Sequence, residues 1–312
     1  MVRTAFAVAK IRAFHPTQDA PWLHRLWHST MHARWSLSLE SMQKVFADAR
    51  SLFVAERNGV RVGFCAADYE PLGDAGLITL LVEPAYQRQG IGSALVVELK
   101  SVLKVEKVRS LHLGGFSTGV YFWPGLPEEN QSALPFFLKH GWHEEASCAD
   151  LVQELACFKT PMWVLDRIRH ADIALRLCNT AIRKEVAAFE RVNFPAWAPF
   201  VDNELADSGD KNILVAQTRN GAVVGTVLLK VDFLDRWALA SGFQIGSLNI
   251  LGIAPGSQKQ GIGLALTSRA MEILRDRGCS ACYIQWTGLN EWYGKLGATV
   301  WAGYRMASTC VG

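Results

Sequence analysis

Two stretches of this chain align without a gap: Val82-Glu83-Pro84-Ala85-Tyr86-Gln87-Arg88-Gln89-Gly90-Ile91-Gly92 and Ile253-Ala254-Pro255-Gly256-Ser257-Gln258-Lys259-Gln260-Gly261-Ile262-Gly263. Each follows an apolar run with the composition of a buried strand and leads into a stretch of helical periodicity. The proline ends ladder pairing. The glycines at alternate positions let the backbone turn sharply and let a ligand come close. Free N–H groups and the positive end of the helix dipole then converge on the loop, so each copy reads as a phosphate cradle. One Gly-x-Gly is a weak signal. Two copies of Pro-x-x-Gln-x-x-Gly-Ile-Gly, each between a strand and a helix, meet the context that a motif reading demands.

The repeat makes the chain a duplication. At 312 residues it suits two domains of about 150 residues, each with its own core. Thr160-Pro161 and the charged stretch near Asp166 mark the expected boundary, giving a first domain over 1–158 and a second over 166–312. Hairpin signals repeat as well. Asn58-Gly59 and Asn220-Gly221 each sit between apolar runs, Leu-Phe-Val-Ala in the first half and Ile-Leu-Val-Ala in the second.

The remaining elements follow from periodicity. In the first half, strands are expected over 10–14, 52–57, 60–69, 76–84, 111–116 and 142–155, and helices over 16–35, 39–49, 91–106 and 133–140. A long aromatic loop, 117–127, joins two of them. In the second half, helices are expected over 172–191, 264–277 and 290–296, and strands over 213–218, 222–231, 248–253, 281–286 and 299–306. Periodicity alone gives a mixed αβ class.

Composition excludes several functions. A net charge of +3 with no basic run does not imply nucleic acid. No apolar stretch approaches the roughly 20 residues of a membrane span, and residues 5–9 are too short for a signal-peptide core. Seven scattered cysteines do not form a disulfide framework, which points to a reducing cytoplasm. Cys279 and Cys282 make one Cys-x-x-Cys with no second pair, and read as buried thiols rather than a zinc site. His24, His28 and His32 fall at i, i+4 and i+8 on one expected helix face; without a further ligand they read as an exposed row, so no metal is expected.

The cradle pattern resembles the acetyl-CoA pyrophosphate loop of the GCN5-related N-acetyltransferases (GNAT). The resemblance extends over nearly the whole chain, and implies an α+β fold of two tandem domains. Each would be a mixed, mainly antiparallel sheet flanked by helices. It implies acetyl-CoA as cofactor, held in the second half by Ile253, Gln258, Lys259, Gln260, Gly261, Ile262, Gly263 and Leu264. The matching residues of the first half are Val82, Gln87, Arg88, Gln89, Gly90, Ile91, Gly92 and Ser93.

Acetyl transfer to an amine also needs a group to protonate the departing thiolate. Trp292-Tyr293-Gly294-Lys295-Leu296-Gly297 is similar to the family's aromatic-Tyr-x-Lys-x-Gly run, which puts Tyr293 at the acid position; packing or cofactor positioning is the other reading of that aromatic. A phenol with a pKa near 10 holds its proton at neutral pH. The first half departs from the pattern: Phe136-Phe137-Leu138-Lys139-His140-Gly141 places Phe137 where the tyrosine belongs. That half is expected to have lost ordinary catalysis and to serve structure, substrate binding or regulation, with Tyr121 as a remote substitute.

The proton acceptor is not evident. No acidic residue lies in the strand over 245–253, leaving Asp232 and Asp235 as candidates or as plain loop carboxylates. An amine of lowered basicity, such as an amino sugar, needs less help.

Trp286-Thr287-Gly288 and the Tyr-Phe-Trp-Pro-Gly-Leu-Pro loop are similar to a tandem-GNAT group that includes glucosamine and glucosaminide N-acetyltransferases. The resemblance therefore implies transfer of an acetyl group to a small-molecule primary amine by direct attack in a ternary complex. Trp123 and Trp197 could stack on a sugar face or hold their loops. The rival readings are a non-catalytic acyl-CoA sensor and a protein-lysine or antibiotic acetyltransferase. The last would use Asp202, Glu204, Asp207 and Asp210 as an acidic rim, or these form only a solvated face.

Overall fold

The computed structural model describes residues 9–115, 122–207, 209–231 and 244–312. The chain forms two compact units. The first holds its described residues up to Cys148 together with Ala302–Gly312, and the second runs from Ala149 to Trp301.

The first unit contains β1 (Lys10–Ala13), α1 (Pro16–Thr30), α2 (Leu39–Ala47), β2 (Ser51–Arg57), β3 (Val60–Tyr69), β4 (Asp74–Val82), α3 (Ile91–Val105), β5 (Ser110–Leu113), β6 (Leu126–Pro127) and α4 (Leu134–Lys139). The chain leaves this unit within β7 (His143–Glu154). The second unit contains α5 (Met162–Ala171), β8 (Ile173–Leu177), α6 (Arg183–Asn193), α7 (Ala198–Asp207), β9 (Ile213–Thr218), β10 (Val223–Lys230), β11 (Ile245–Ile253), α8 (Ile262–Asp276), β12 (Ala281–Thr287) and α9 (Asn290–Gly294). The last strand, β13 (Thr299–Cys310), begins in the second unit and ends in the first.

In the first unit β1 to β4 are antiparallel neighbours and β5 joins parallel to β4. Ser308–Cys310 of β13 then pairs antiparallel with β5. The second unit repeats this plan. β8 to β11 run antiparallel, β12 joins parallel to β11, and Ala149–Glu154 of β7 pairs with β12. Each sheet is thus mixed and mainly antiparallel, and each takes its last strand from the other half of the sequence. The repeat divides the chain at 158/166, whereas compactness divides it within β7 and β13.

The helix expected over 172–191 is instead two elements, β8 and α6. Asp172 adopts a left-handed φ of 53° that ends α5. Ile173-Ala174-Leu175-Arg176-Leu177 then alternates with a period of two, and all five residues pair with β9. Thr160 and Pro161 are tied into the second unit. Pro161 caps α5, and Thr160 donates from its N–H and its hydroxyl to Glu272 at 3.0 and 2.7 Å.

The first helix also ends sooner than expected, at Thr30, so His32 lies outside it and caps a separate turn through Arg34 N at 3.2 Å. His24 and His28 both approach the Leu37 carbonyl at 3.0 Å. The three histidines do not share one helix face, and among the described residues no cluster could hold a metal.

Two features are common to the far ends of β4 and β11. Pairing with the parallel neighbour stops early, at Leu77 opposite Leu113 and at Leu248 opposite Ile284, while the strands continue to Val82 and Ile253. The far ends therefore lose a partner on one edge. Both strands also break register there, β4 beside Ala66/Ala67 and β11 beside Thr226/Leu228, where Ile250 takes a φ of 54°. A β-branched residue in that region is strained and held by its surroundings.

Candidate functional site

The two cradles share their backbone geometry. A short turn, Pro84–Tyr86 or Pro255–Ser257, leads into alternating left-handed residues: Arg88 and Gly90 at φ 61° and 85°, Lys259 and Gly261 at 63° and 87°. The first glutamine of each motif turns back on the strand end, Gln87 onto the Val82 carbonyl at 3.1 Å and Gln258 onto that of Ile253 at 3.3 Å. The second braces the turn, Gln89 on Ala85 O at 3.0 Å and Gln260 on Gly256 O at 3.3 Å. Ile91 and Ile262 are buried and pin the helix starts into their cores.

Neither α3 nor α8 has a side-chain cap at its N-terminus. Uncapped N–H groups beside a concave, left-handed turn suit an anion. Nothing stands within 4 Å of the place a Gly90 Cβ would take, so the backbone is open to a ligand there; at Gly261 the Arg167 side chain is 3.2 Å away.

The next glycine of each motif meets an aromatic ring. A Cβ on Gly92 would lie 3.3 Å from Phe136, and one on Gly263 3.1 Å from Trp292. Phe137 and Tyr293 follow these rings in α4 and α9 and thus hold matched places. Phe137 is buried edge-on to Phe136 and Trp142. Tyr293 is buried edge-on to Trp292. Burial, with the Cys282 thiol as a smaller cause, pushes the Tyr293 phenol up to about 12. Its hydroxyl keeps its proton at neutral pH, and has no hydrogen-bond partner among the described residues.

The first cradle opens on a cavity of about 820 Å³, walled by β4 residues Leu77–Val82, the cradle, Trp123, and α4 with Phe137. Asn130, which sequence reading passed over, also lines it, and its buried Oδ1 has no hydrogen-bond partner. An orphaned acceptor beside an open cradle fits a ligand that carries amide N–H groups as well as phosphates, as coenzyme A does. Ser93 Oγ pairs with His140 Nε2 at 2.9 Å in the same wall. Burial, then Lys139 and Lys100, lowers the His140 pKa and favours the neutral ring. Leu264 and Leu296, both buried, stand at the matching places of the second unit.

Other expected residues lie elsewhere or have other partners. Trp123 is buried, stacked 5.7 Å from Trp27 and edge-on to Trp35, so it belongs to the core as well as to the cavity wall. Trp197 stacks on Phe194 at 5.0 Å and stays partly exposed. Of the four acidic residues over 202–210, Asp202 pairs with Arg191 at 2.8 Å and Glu204 takes a hydrogen bond from Asn212 at 2.7 Å. Tyr121, Asp232 and Asp235 lie outside the described residues.

Trp286 has a φ of 45° and its N–H reaches Asp150 at 2.7 Å, while Tyr283 donates to the other oxygen of Asp150 at 2.5 Å. Nothing in the sequence around Asp150 marks it as a buried brace.

Comparison with known proteins agrees with this geometry. Residues 48–144 match the model of an acetyltransferase (GNAT) domain, and residues 162–297 that of the acetyltransferase (GNAT) family. A mycothiol acetyltransferase of Beutenbergia cavernae is 27% identical over 247 residues, covering 74% of this chain and 72% of that protein. Among solved structures, the GCN5-related glucosamine N-acetyltransferase region of a fungal multi-domain β-N-acetylglucosaminidase superposes with a TM-score of 0.87 at 24% identity, over 98% of this chain and 38% of that one. A tandem GNAT protein from the clavulanic acid biosynthesis pathway superposes at 0.62 with 13% identity, over 98% of this chain and 99% of that one. The protein belongs to the GNAT acetyltransferases and carries two of their domains in tandem.

Proposed function

We propose that the second unit transfers an acetyl group from acetyl-CoA to the primary amine of a small molecule, with amino sugars such as glucosamine as the first candidates, and that the first unit binds the cofactor without turning it over. GNAT acetyltransferases use acetyl-CoA, which supplies an acyl thioester when bound. The observation that carries the reading is Tyr293, a buried phenol in one unit where the other has a phenyl ring.

The residues divide the work. Backbone N–H groups over 258–264 would hold the pyrophosphate, with Lys259 adding charge. Tyr293 would give its proton to the sulfur as the C–S bond breaks, and the proton lost by the attacking nitrogen would restore it. In the first unit the matching cradle over 87–93, the 820 Å³ cavity and the Asn130 acceptor favour binding. Phe137 has no proton to give. The small-amine acceptor takes support from the mycothiol acetyltransferase relative and the glucosamine N-acetyltransferase region, both named for small molecules.

The test is coenzyme A release with a panel of amines that includes glucosamine, using wild type, Gly92→Trp and Gly263→Trp. The reading expects one class of small amine to support turnover, Gly263→Trp to abolish it and Gly92→Trp to leave chemistry in place. Loss of turnover through Gly92→Trp alone would reverse the assignment.

A further inference from the structure

Two carboxylates of the second unit are buried among its described residues, Asp150 and Glu190. Both oxygens of Asp150 are engaged, by Tyr283 and the Trp286 N–H. Glu190, on α6, is fully buried; its Oε1 accepts from the Thr226 hydroxyl, and its Oε2 has no hydrogen-bond partner. A buried oxygen without a partner is costly, and in a native protein asks for a reason.

Register places this carboxyl at the open end of β11. Thr226 pairs directly with Gly252, so both point to the α6 face of the sheet. A Cβ on Gly252 would meet the Phe194 ring, one turn beyond Glu190. Gly252 lies past Leu248, where β12 no longer pairs, and next to the strained Ile250. Ser247 and Asn249 face the same side, opposite to Leu248, and bond to each other at 2.8 Å.

The matching positions of the first unit are not polar. Val62 and Val224 play the same part, each accepting from the residue that opens the cradle, at 2.9 Å in both units. The match puts Phe64 where Thr226 stands, and Gly76 and Ile78 where Ser247 and Asn249 stand. Phe64 packs edge-on against Phe14 and Phe46, each at 5.3 Å. Asp19 and Asp68 are buried in the first unit, but neither stands at this position; the unit that keeps the phenol is the one with a Thr–Glu pair there.

We infer that Glu190 is the proton acceptor for the amine, held by Thr226 beside the end of β11 that has no β12 partner. The step is a proton transfer: an N–H bond of the substrate ammonium breaks, an O–H bond forms on Glu190, and both partners become neutral. Burial favours that product over the charged pair, because it raises the carboxyl pKa above its ordinary value, against the smaller opposing effect of the Thr226 hydrogen bond. Two cations near it pair with other acids, Arg191 with Asp202 and Lys230 with Glu204. The inference rests on the second unit being the transferase.

The experiment measures kcat/KM for the amine against pH in wild type, Glu190→Gln, Glu190→Asp, Thr226→Val and Tyr293→Phe, with acetyl-CoA binding followed by calorimetry. Glu190→Gln is expected to keep cofactor affinity within about twofold and to lose about a hundredfold in kcat/KM, together with the acid limb of its pH profile. Glu190→Asp restores part of the rate. Thr226→Val removes a hydrogen bond that favours the carboxylate, so its acid limb moves to higher pH; this arm serves if Glu190→Gln does not fold. Infrared difference spectra of the cofactor-free protein, wild type minus Glu190→Gln, should show a carboxyl carbonyl band that persists above the pH at which exposed glutamates ionise.

An unchanged profile in both Glu190→Gln and Thr226→Val, with Tyr293→Phe inactive, would overturn the role of Glu190 alone. Full activity of Tyr293→Phe would instead overturn the reading of the second unit.

Discussion

Tyr293 and Phe137 stand behind matched glycines and differ by one oxygen. Because burial pushes the phenol up to about 12, it stays protonated through the working range, and its ionisation should set no alkaline limb below about pH 11. A rate loss on the alkaline side near pH 9 to 10 that disappears in Tyr293→Phe would count against this. Asp19 gives the clearest stability prediction. It is buried and accepts from Arg12 at 2.7 Å, Arg61 at 2.6 Å and the His15 N–H at 2.8 Å. These bonds outweigh its desolvation and hold its carboxyl down at about 2.

A depressed folded-state pKa adds stability above the ordinary carboxylate range and loses it as pH falls from about 4 toward 2. Asp19→Asn should therefore cost about 2 kcal/mol at pH 7 in a denaturant titration, and the gap to wild type should narrow below pH 4. Sequence reading singled out Tyr293 and the cradle residues because a motif carries them. It passed over Asn130, Asp150 and Glu190, whose meaning lies in burial and in which oxygen lacks a partner, and neither is written in local spacing.

At the scale of the element, the strand, cradle and helix were legible because proline, glutamine and glycine recur at fixed positions. β8 was not. Five residues of alternation between two helices are easily absorbed into a helical pattern, and only pairing with β9 makes them a strand. The break in β11 was equally hidden, since Ile250 is a residue type that avoids positive φ. The cradle predicts two separable effects. Gly90→Ala meets no neighbour, so its penalty is the left-handed backbone alone, about 1 kcal/mol, read as a small shift in melting. Gly263→Ala brings a methyl group to 3.1 Å from Trp292 and so presses on α9. Its expected signature is a several-fold fall in kcat, with acetyl-CoA affinity little changed.

At the scale of the whole chain, the repeat gave the duplication, but it did not give the exchange of last strands, because β7 and β13 continue smoothly past the points where compactness divides them. The first unit depends on the end of the sequence. Ala302–Gly312 supplies the strand beside β5, the buried Tyr304, Ala307 and Val311, and the Arg305–Glu144 pair at 3.0 Å. A chain that stops at Trp301 should therefore lose the cooperative melting of the first unit and the acetyl-CoA binding assigned to its cavity. Unchanged melting would show that the strand is dispensable.

The central claim is that the second unit does the chemistry. Its most direct measurement is coenzyme A release at saturating amine by wild type and Tyr293→Phe, with acetyl-CoA binding measured on both by calorimetry. The expected result is a rate lower by about a hundredfold with cofactor affinity intact. Equal rates in the two proteins would contradict it.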